Sequence, residues 1–529
     1  MVDGWYLLGL EDTNRSEKSL FFLSIGLVLG LATVGIVSPQ LLNSVMTGAY
    51  DFVLNYFGWW FILLSVVLTV AMVTFSFSRY GRLRIGGQDA EPEFGYFSWV
   101  SMIFTVGFAS AVIFWGVAEP IYIVSSPPDP LPVQGAPVES VALAFMSMHD
   151  IFPAIMAWYL PVSLAFGLIV WNDDEFKFSS MLKPILDEER WGALYWVTDL
   201  MALVTMIGGL ATTLGFIGQQ LSTIMSNVFG FTSGIVTYGL FGIIGLIFLG
   251  DVWLGLRNGI QNMARATMVV IAVLMGILVF VGPSMFMAEL GLDSLGIWLN
   301  NLPRLMLYTD PVDRSLWPQD WTSFWWAWYA AWGLFVGSFV ARVSKGRTVR
   351  ETTIGLSIVP AGFLFVQHAI LGGWALSSSN YGPVSTALSE QGIPAALAEA
   401  INVTPLTSVL GVLFILALTG YVITSLDSAV FMLAAIAMGN EEPNARNRAI
   451  WGLVLAGLGV MTLSLPGTRA LESFSVVLGL PFTIFFLVIV YAMIVTARRQ
   501  YQSNFGDYRP VKQKPPVDQT QTDLAEDDD

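Results

Sequence analysis

Runs of about twenty apolar residues recur from one end of this chain to the other, each long enough to cross a hydrocarbon core of roughly 30 Å as a helix. Backbone groups in lipid must be satisfied internally, so such runs bundle as helices and do not form open sheet. The composition agrees: 55% hydrophobic and 12% charged residues over 529 positions, with a mean hydropathy of +0.66, is too apolar for a water-soluble domain of this size. The runs lie near 19–38, 53–78, 96–124, 140–171, 193–222, 232–251, 265–288, 321–343, 353–377, 404–437, 449–466 and 472–497. The expected fold class is therefore an all-α multi-pass membrane protein of about twelve transmembrane helices.

Positive charge tests that count, because Lys and Arg are retained on the cytoplasmic side. With an inside N-terminus, 21 of the 24 Lys and Arg residues fall in inside regions, and only Arg304, Arg314 and Arg469 fall outside. A missed or extra span would scramble the alternation beyond it. Both termini are thus expected in the cytoplasm. The first apolar run follows a mixed-charge segment from Glu11 to Lys18, so it reads as retained and not as a cleaved signal.

The net charge of −15 sits in loops and in the tail that ends Glu526-Asp527-Asp528-Asp529, a pattern that suits a high-salt cytoplasm and offers nothing to nucleic acid. Cysteine is absent, which excludes disulfides and thiolate chemistry, and His149 and His368 are too few for a histidine-rich metal site. There is no glycine-rich phosphate loop and no carboxylate pair in a soluble site, so an enzyme is not expected. A channel would need a filter or a charged ring, and neither is evident.

Between Asp320 and Glu351 the chain crowds Trp321, Phe324, Trp325, Trp326, Trp328, Tyr329 and Trp332 into one end of an apolar stretch. At helical spacing Trp325, Trp328, Tyr329 and Trp332 stand at i, i+3, i+4 and i+7 and share a face, with Trp326 about a quarter-turn away. An alkylated ammonium has no N–H to donate, so only aromatic quadrupoles can grip it, and such a face is a candidate cage. An interfacial aromatic belt or plain helix packing is the competing reading. Small residues interrupt two spans, Gly107-Phe108-Ala109-Ser110-Ala111 in the third and Gly333 and Gly337 in the eighth. These spans are five apart, as in transporters built from inverted repeats, although small residues also serve ordinary packing. The segments Lys177 to Glu189 and Ala288 to Leu307 read as amphipathic and non-spanning, and Thr386 to Ile401 as a short helix in an outer loop.

The segment Gly81 to Pro128 resembles the betaine/choline/carnitine transporter family. So do the aromatic span with its ARVSKGRTVRE continuation, ITSLDS at Ile423 to Ser428, RAIWG at Arg448 to Gly452 and SVVLGLPFTIFFL at Ser475 to Leu487, in the family's order. The resemblance implies a LeuT-type fold with two five-helix inverted repeats, spans 3–7 and 8–12, preceded by two extra helices. It divides the chain into an N-terminus (1–18), two accessory helices and a loop (19–95), a first repeat (96–288), an amphipathic surface helix and outer loop (289–320), a second repeat (321–499) and a disordered acidic tail (500–529). The family's aromatic box matches Trp326, Trp328, Tyr329 and Trp332, with Tyr in place of one Trp.

Further implications come residue by residue. The family's Gly-Met-Gly-x-Gly run on the third span matches Gly107, Phe108, Ala109, Ser110 and Ala111, where two alanines narrow the approach of a ligand to the backbone. Thr424 and Ser425 match hydroxyls that sodium-coupled members use, and Thr105, Phe108 and Tyr421 would add backbone carbonyls, hard oxygen donors suited to an alkali cation. A second sodium site is not expected, because Leu210 stands where a hydroxyl would be needed. Where the family has a His-Trp-Gly stretch, this chain has His149-Asp150-Ile151; these polar residues either relay protons or, as expected here, sit at the outer membrane boundary. Glu119-Pro120 is expected to end the third span, and the basic loop Arg342 to Arg350 to anchor at headgroups or gate inward opening.

The resulting expectation is a plasma-membrane secondary transporter that imports glycine betaine or a related quaternary-ammonium or sulfonium solute with sodium and needs no cofactor beyond that ion. A homotrimer is a family expectation. Sodium-independent exchange, proton coupling, and a non-transporting osmosensor or receptor remain the alternatives, and the acidic tail argues against an osmosensing role there.

Overall fold

In the computed structural model, the residues described are 4–506 apart from 12, 108, 173–174, 256–258, 464 and 466. Among them the regular structure is helical, with one isolated β-bridge, Arg84 with Thr348. Among the described residues nine helices are long and apolar enough to cross a membrane, Arg15–Val37, Pro39–Phe77, Val138–Ile169 and Glu188–Asn227 included. Three expected spans fall outside that set: the Tyr96–Gly107 and Ala109–Ser125 pair, the aromatic helix Phe324–Val343, and Ala445–Thr462. The first is described in two parts on either side of Phe108, the second is rich in indole rings, and the third is headed by arginines.

Local chemistry starts these helices where the sequence places the right caps. Asn14 accepts from the Glu17 N–H at 2.9 Å while Glu17 accepts from the Asn14 N–H at 2.8 Å, so two orphan donors are satisfied at the head of Arg15–Val37. Asn444 caps Ala445–Thr462 through the Asn447 N–H at 2.9 Å, and Thr348 caps the turn after the aromatic helix through the Glu351 N–H.

Burial separates a centre from a rim. Of the most apolar 18-residue window of each helix, 94% is buried in Val138–Ile169 but only 33% in Arg15–Val37 and in Gln261–Val281. Every side chain of the aromatic helix is buried, and it packs on the second half of Val138–Ile169 through Gly333 and Gly337. A methyl on Gly333 would lie 2.3 Å from the Trp158 carbonyl oxygen, and one on Gly337 2.5 Å from Val162 Cβ. These glycines therefore serve close helix approach, and the aromatic helix runs through both without a break.

The third span is helical over Tyr96–Gly107 and over Ala109–Ser125, and Phe108 lies outside the described residues. Pro120 does not end this span. It sits inside Ala109–Ser125, which continues for five residues past it, as prolines in membrane helices commonly permit. Ser284–Met306 is the expected amphipathic helix, and it buries Met287, Leu290, Ser294 and Trp298 against Val138–Asp150 and Val359–Leu376. Lys177 to Glu189 contains only the 3-10 turn Ser179–Leu182 before the Glu188–Asn227 helix, held by Asp199 accepting from Ser179 at 2.8 Å. The outer loop holds two helices, Tyr381–Gln391 and Ile393–Asn402, where one was expected. The last helix, Thr483–Phe505, runs past the expected start of the tail at 500, and the tail beyond 506 lies outside the described residues.

Candidate functional site

Two turns of the aromatic helix, Tyr159 at the end of the π-helical turn Ile155–Tyr159, and Gly107 surround one small cavity. It is lined by Gly107, Tyr159, Trp325, Trp328, Tyr329 and Trp332, whose rings close on one another and leave room between them for no more than about one water. None of these side chains carries a formal charge. The four residues from the aromatic helix are those at i, i+3, i+4 and i+7, so elementary helix geometry selects Trp325. Trp326, which the family's box selects, is fully buried but does not line the cavity.

The rings hold one another in place. Tyr159 stacks on Tyr329 with centroids 4.9 Å apart and planes 26° from parallel. Trp325 and Trp328 lie 5.5 Å apart, and Trp328 meets Trp332 at 6.2 Å nearly edge-on. Polar ends are tied to backbone: the Tyr159 hydroxyl donates to the Gly107 carbonyl at 2.9 Å, and the Trp332 indole donates to the Gly209 carbonyl at 3.0 Å. That second contact works because Gly209 has no side chain, since a methyl there would lie 2.9 Å from Trp332 Cδ1. Preset faces of this kind suit a cation that offers no hydrogen bond.

Of the third-span residues, Gly107 lines the cavity and Phe108 lies outside the described residues. Ala109, Ser110 and Ala111 occupy the first turn of Ala109–Ser125, and their side chains likewise fall outside the description.

The candidate ion ligands gather where Tyr96–Gly107 meets Thr407–Met438. Ser425 donates to the Thr105 carbonyl across the two helices at 3.3 Å. Thr424 donates within its own helix to the carbonyls of Gly420 at 2.9 Å and Tyr421 at 3.0 Å. The set is made of hydroxyls and carbonyls, and all three named side chains are buried. Such donors fit a hard monovalent cation. Leu210 is fully buried, and its neighbours Thr205 and Thr212 spend their hydroxyls on the carbonyls of Leu478 and Leu471.

His149 and Asp150 lie inside the protein. Both are buried, at 0% and 1% exposure, at the C-terminal end of Val138–Asp150. His149 bonds Glu119 Oε1 through Nδ1 at 2.7 Å and the Thr322 hydroxyl through Nε2 at 2.9 Å. The Asp150 carboxylate meets the Tyr329 hydroxyl at 2.5 Å and His368 Nε2 at 3.0 Å. Sequence reasoning missed Trp325 in the family box, Tyr159, Glu119 and His368. The helical spacing carried the signal for Trp325; for the others only the rarity of ionisable residues in apolar runs was available.

The basic loop after the aromatic helix is built into the protein instead of lying at headgroups. Arg342, 5% exposed, bonds Glu93 at 3.0 Å and Glu442 at 3.4 Å with its guanidinium 5.5 Å from the Trp171 ring. Arg347 pairs with Glu351, donates to the Phe94 carbonyl at 2.9 Å and lies 4.1 Å over Trp99. Arg84 donates back to the Gly346 carbonyl at 2.6 Å.

Comparison with known proteins gives the same direction. The sequence profile of the BCCT, betaine/carnitine/choline family of transporters matches residues 19–502. The glycine betaine transporter OpuD of Bacillus subtilis is 29% identical over 515 residues, which cover 95% of this chain and 97% of that protein. An ectoine/hydroxyectoine transporter of Virgibacillus pantothenticus is 27% identical over 485 residues, 90% and 96% of the two chains. A glycine betaine/proline/choline transporter of Vibrio parahaemolyticus is 28% identical over 508 residues, 92% and 90% of the two chains.

Proposed function

This chain belongs to the betaine/carnitine/choline family of transporters, and on that premise we propose that it imports glycine betaine or a related quaternary-ammonium or sulfonium compatible solute together with sodium. The observation that carries the reading is the cavity walled by Tyr159, Trp325, Trp328, Tyr329 and Trp332, uncharged and made of ring faces. A methylated onium would lie against those faces, each desolvated contact contributing on the order of 1 to 2 kcal/mol. Related proteins named for glycine betaine support the choice of solute, and the one named for ectoine and hydroxyectoine marks the breadth of neighbouring specificities.

Sodium would sit where Ser425 of one helix reaches the Thr105 carbonyl of another, with Thr424 and the carbonyls of Phe108 and Tyr421 completing its shell. An ion there would clamp the third span to the tenth and favour the substrate-competent conformation. Solute should then tighten sodium binding by the factor by which sodium tightens solute binding. In this reading the chain spans the plasma membrane twelve times with both termini in the cytoplasm, and spans 3–7 and 8–12 are inverted repeats that rock about the cavity.

Uptake of labelled glycine betaine into proteoliposomes, with sodium and proton gradients imposed one at a time, tests the proposal. Sodium-driven accumulation is expected. Equal uptake with and without sodium would remove the ion from the mechanism, and absence of uptake with binding intact would favour a receptor.

A further inference from the structure

Both histidines of the chain and two carboxylates converge behind the cage, although they come from three helices far apart in sequence. Glu119 rises from Ala109–Ser125, His149 and Asp150 end Val138–Asp150, and His368 belongs to Val359–Leu376. All four are at most 1% exposed. Burying two carboxylates and two imidazoles in a membrane protein is costly, and hydrophobic side chains would fill the same space at less expense.

The cluster is joined to the cavity through Tyr329 and through Trp325, whose ring stacks on that of His149 with centroids 6.2 Å apart. Tyr329 presents its ring to the cavity while its hydroxyl lies 2.7 Å from the Asp150 carbonyl and 2.5 Å from Asp150 Oδ1. Asp150 Oδ2 in turn meets His368 Nε2 at 3.0 Å. Two atoms at the far ends of the cluster, Glu119 Oε2 and His368 Nδ1, are buried with no hydrogen-bond partner among the described residues. A carboxylate and an imidazole with open valences can hold the proton count in more than one way.

We propose that Asp150 and His368 together hold one exchangeable proton, and that an onium entering the cage against Tyr329 expels it, so that proton and solute compete. The competition rests on the onium reading of the cavity given above; the proton site itself does not. A positive charge over the Tyr329 ring would stand close to the Asp150 carboxylate in a water-poor interior, where it favours the ionised carboxylate and disfavours the imidazolium. The proton leaves to the water on whichever side the cavity is then open, and no other group changes charge.

The other titratable groups facing this pair are Glu119 and His149 beside it, Tyr159 stacked on Tyr329, and Tyr421 from Thr407–Met438. Neighbouring elements carry Glu289 and Asp293 on Ser284–Met306, Glu390 on Tyr381–Gln391 and Glu399 on Ile393–Asn402, none of them bonded to the pair. Among the described residues no lysine or arginine is bonded to the four groups either.

Two measurements on the full-length protein at constant sodium decide the matter. In the solute-free protein, infrared difference spectra along a pH series are expected to show a carboxyl and imidazole change. That change should vanish in Asp150→Asn and shift in His368→Gln, two near-isosteric variants of which either suffices. A silent wild-type spectrum overturns the proton site. In weakly buffered solution, glycine betaine is expected to release protons from the wild type and none from Asp150→Asn, and its affinity to fall roughly tenfold per pH unit on the acid side. Binding without proton release overturns the competition. Absence of any tryptophan fluorescence response to glycine betaine overturns the onium reading and the competition with it, while the infrared result still decides the proton site.

Discussion

Tyr159 and Tyr329 lie ring against ring, 4.9 Å between centroids, and each anchors its hydroxyl on the backbone of another helix: Tyr159 on the Gly107 carbonyl, Tyr329 on the Asp150 carbonyl. Two phenols fixed at both ends form a wall that cannot easily rotate away. Removing a ring from the wall is expected to act on affinity before it acts on folding.

Trp328→Ala or Trp332→Ala is therefore expected to weaken glycine betaine binding by about 1 to 2 kcal/mol, roughly five- to thirtyfold in dissociation constant. Trp325→Ala should cost more than Trp326→Ala, because Trp325 lines the cavity and Trp326 does not. Calorimetry on the four variants checks this. Equal losses at Trp325 and Trp326 would mean that the effect travels through packing.

That pair also shows what could be read from the chain. The spacing of Trp325, Trp328, Tyr329 and Trp332 announced a shared face because helix geometry is local, and the structure gathers those four around one cavity. Apolar length announced the membrane-length runs for the same reason, and nine of the twelve correspond to helices long and apolar enough to cross a membrane among the described residues. What local pattern could not supply was the company of distant residues. Nothing in the sequence around His149 and Asp150 shows that Glu119, Thr322, Tyr329 and His368 are their partners. Arg342 looks like a headgroup anchor until Glu93 and Glu442 arrive from loops far away in sequence. Pro120 reads as a stop in water, yet its helix continues within the bundle.

For the coupling ion, Ser425 is the informative residue, since its hydroxyl crosses to the Thr105 carbonyl while that of Thr424 stays on its own helix. Ser425→Ala is expected to raise the sodium concentration for half-maximal uptake by about tenfold, the scale of one lost charge-assisted contact. The double variant with Thr424→Ala should raise it further. An unchanged sodium dependence in both would place the ion elsewhere.

Close approach at Gly333 has a cost that can be measured apart from transport. A methyl there would fall 2.3 Å from the Trp158 carbonyl oxygen, a backbone atom that cannot swing aside as a side chain does. Gly333→Ala is expected to destabilise the purified protein by about 1 to 3 kcal/mol through overpacking, seen as a lower unfolding temperature in detergent. Gly362→Ala is the control, because a methyl at Gly362 meets nothing within 4 Å. Equal temperatures for the two variants would contradict the helix contact.

Arg342 closes one end of the aromatic helix, and in the proposed topology that end faces the cytoplasm. Its guanidinium is 5% exposed and bonds Glu93, itself one-third exposed, more closely than the well-exposed Glu442. The Glu93 contact should therefore carry most of the holding effect, since the exposed partner is screened by solvent. Arg342→Ala removes both contacts together with the packing on Trp171, and is expected to move the equilibrium toward inward opening by about 1 kcal/mol, roughly fivefold in population. The chain lacks cysteine, so Ser338→Cys, buried a turn before Arg342, reports opening without background. Its maleimide labelling should quicken about fivefold when Arg342→Ala is added, and nearly as much with Glu93→Gln. Glu442→Gln should change it little. Labelling that responds to Glu442 and not to Glu93 would assign the latch to the outer pair and leave the buried one a structural tie.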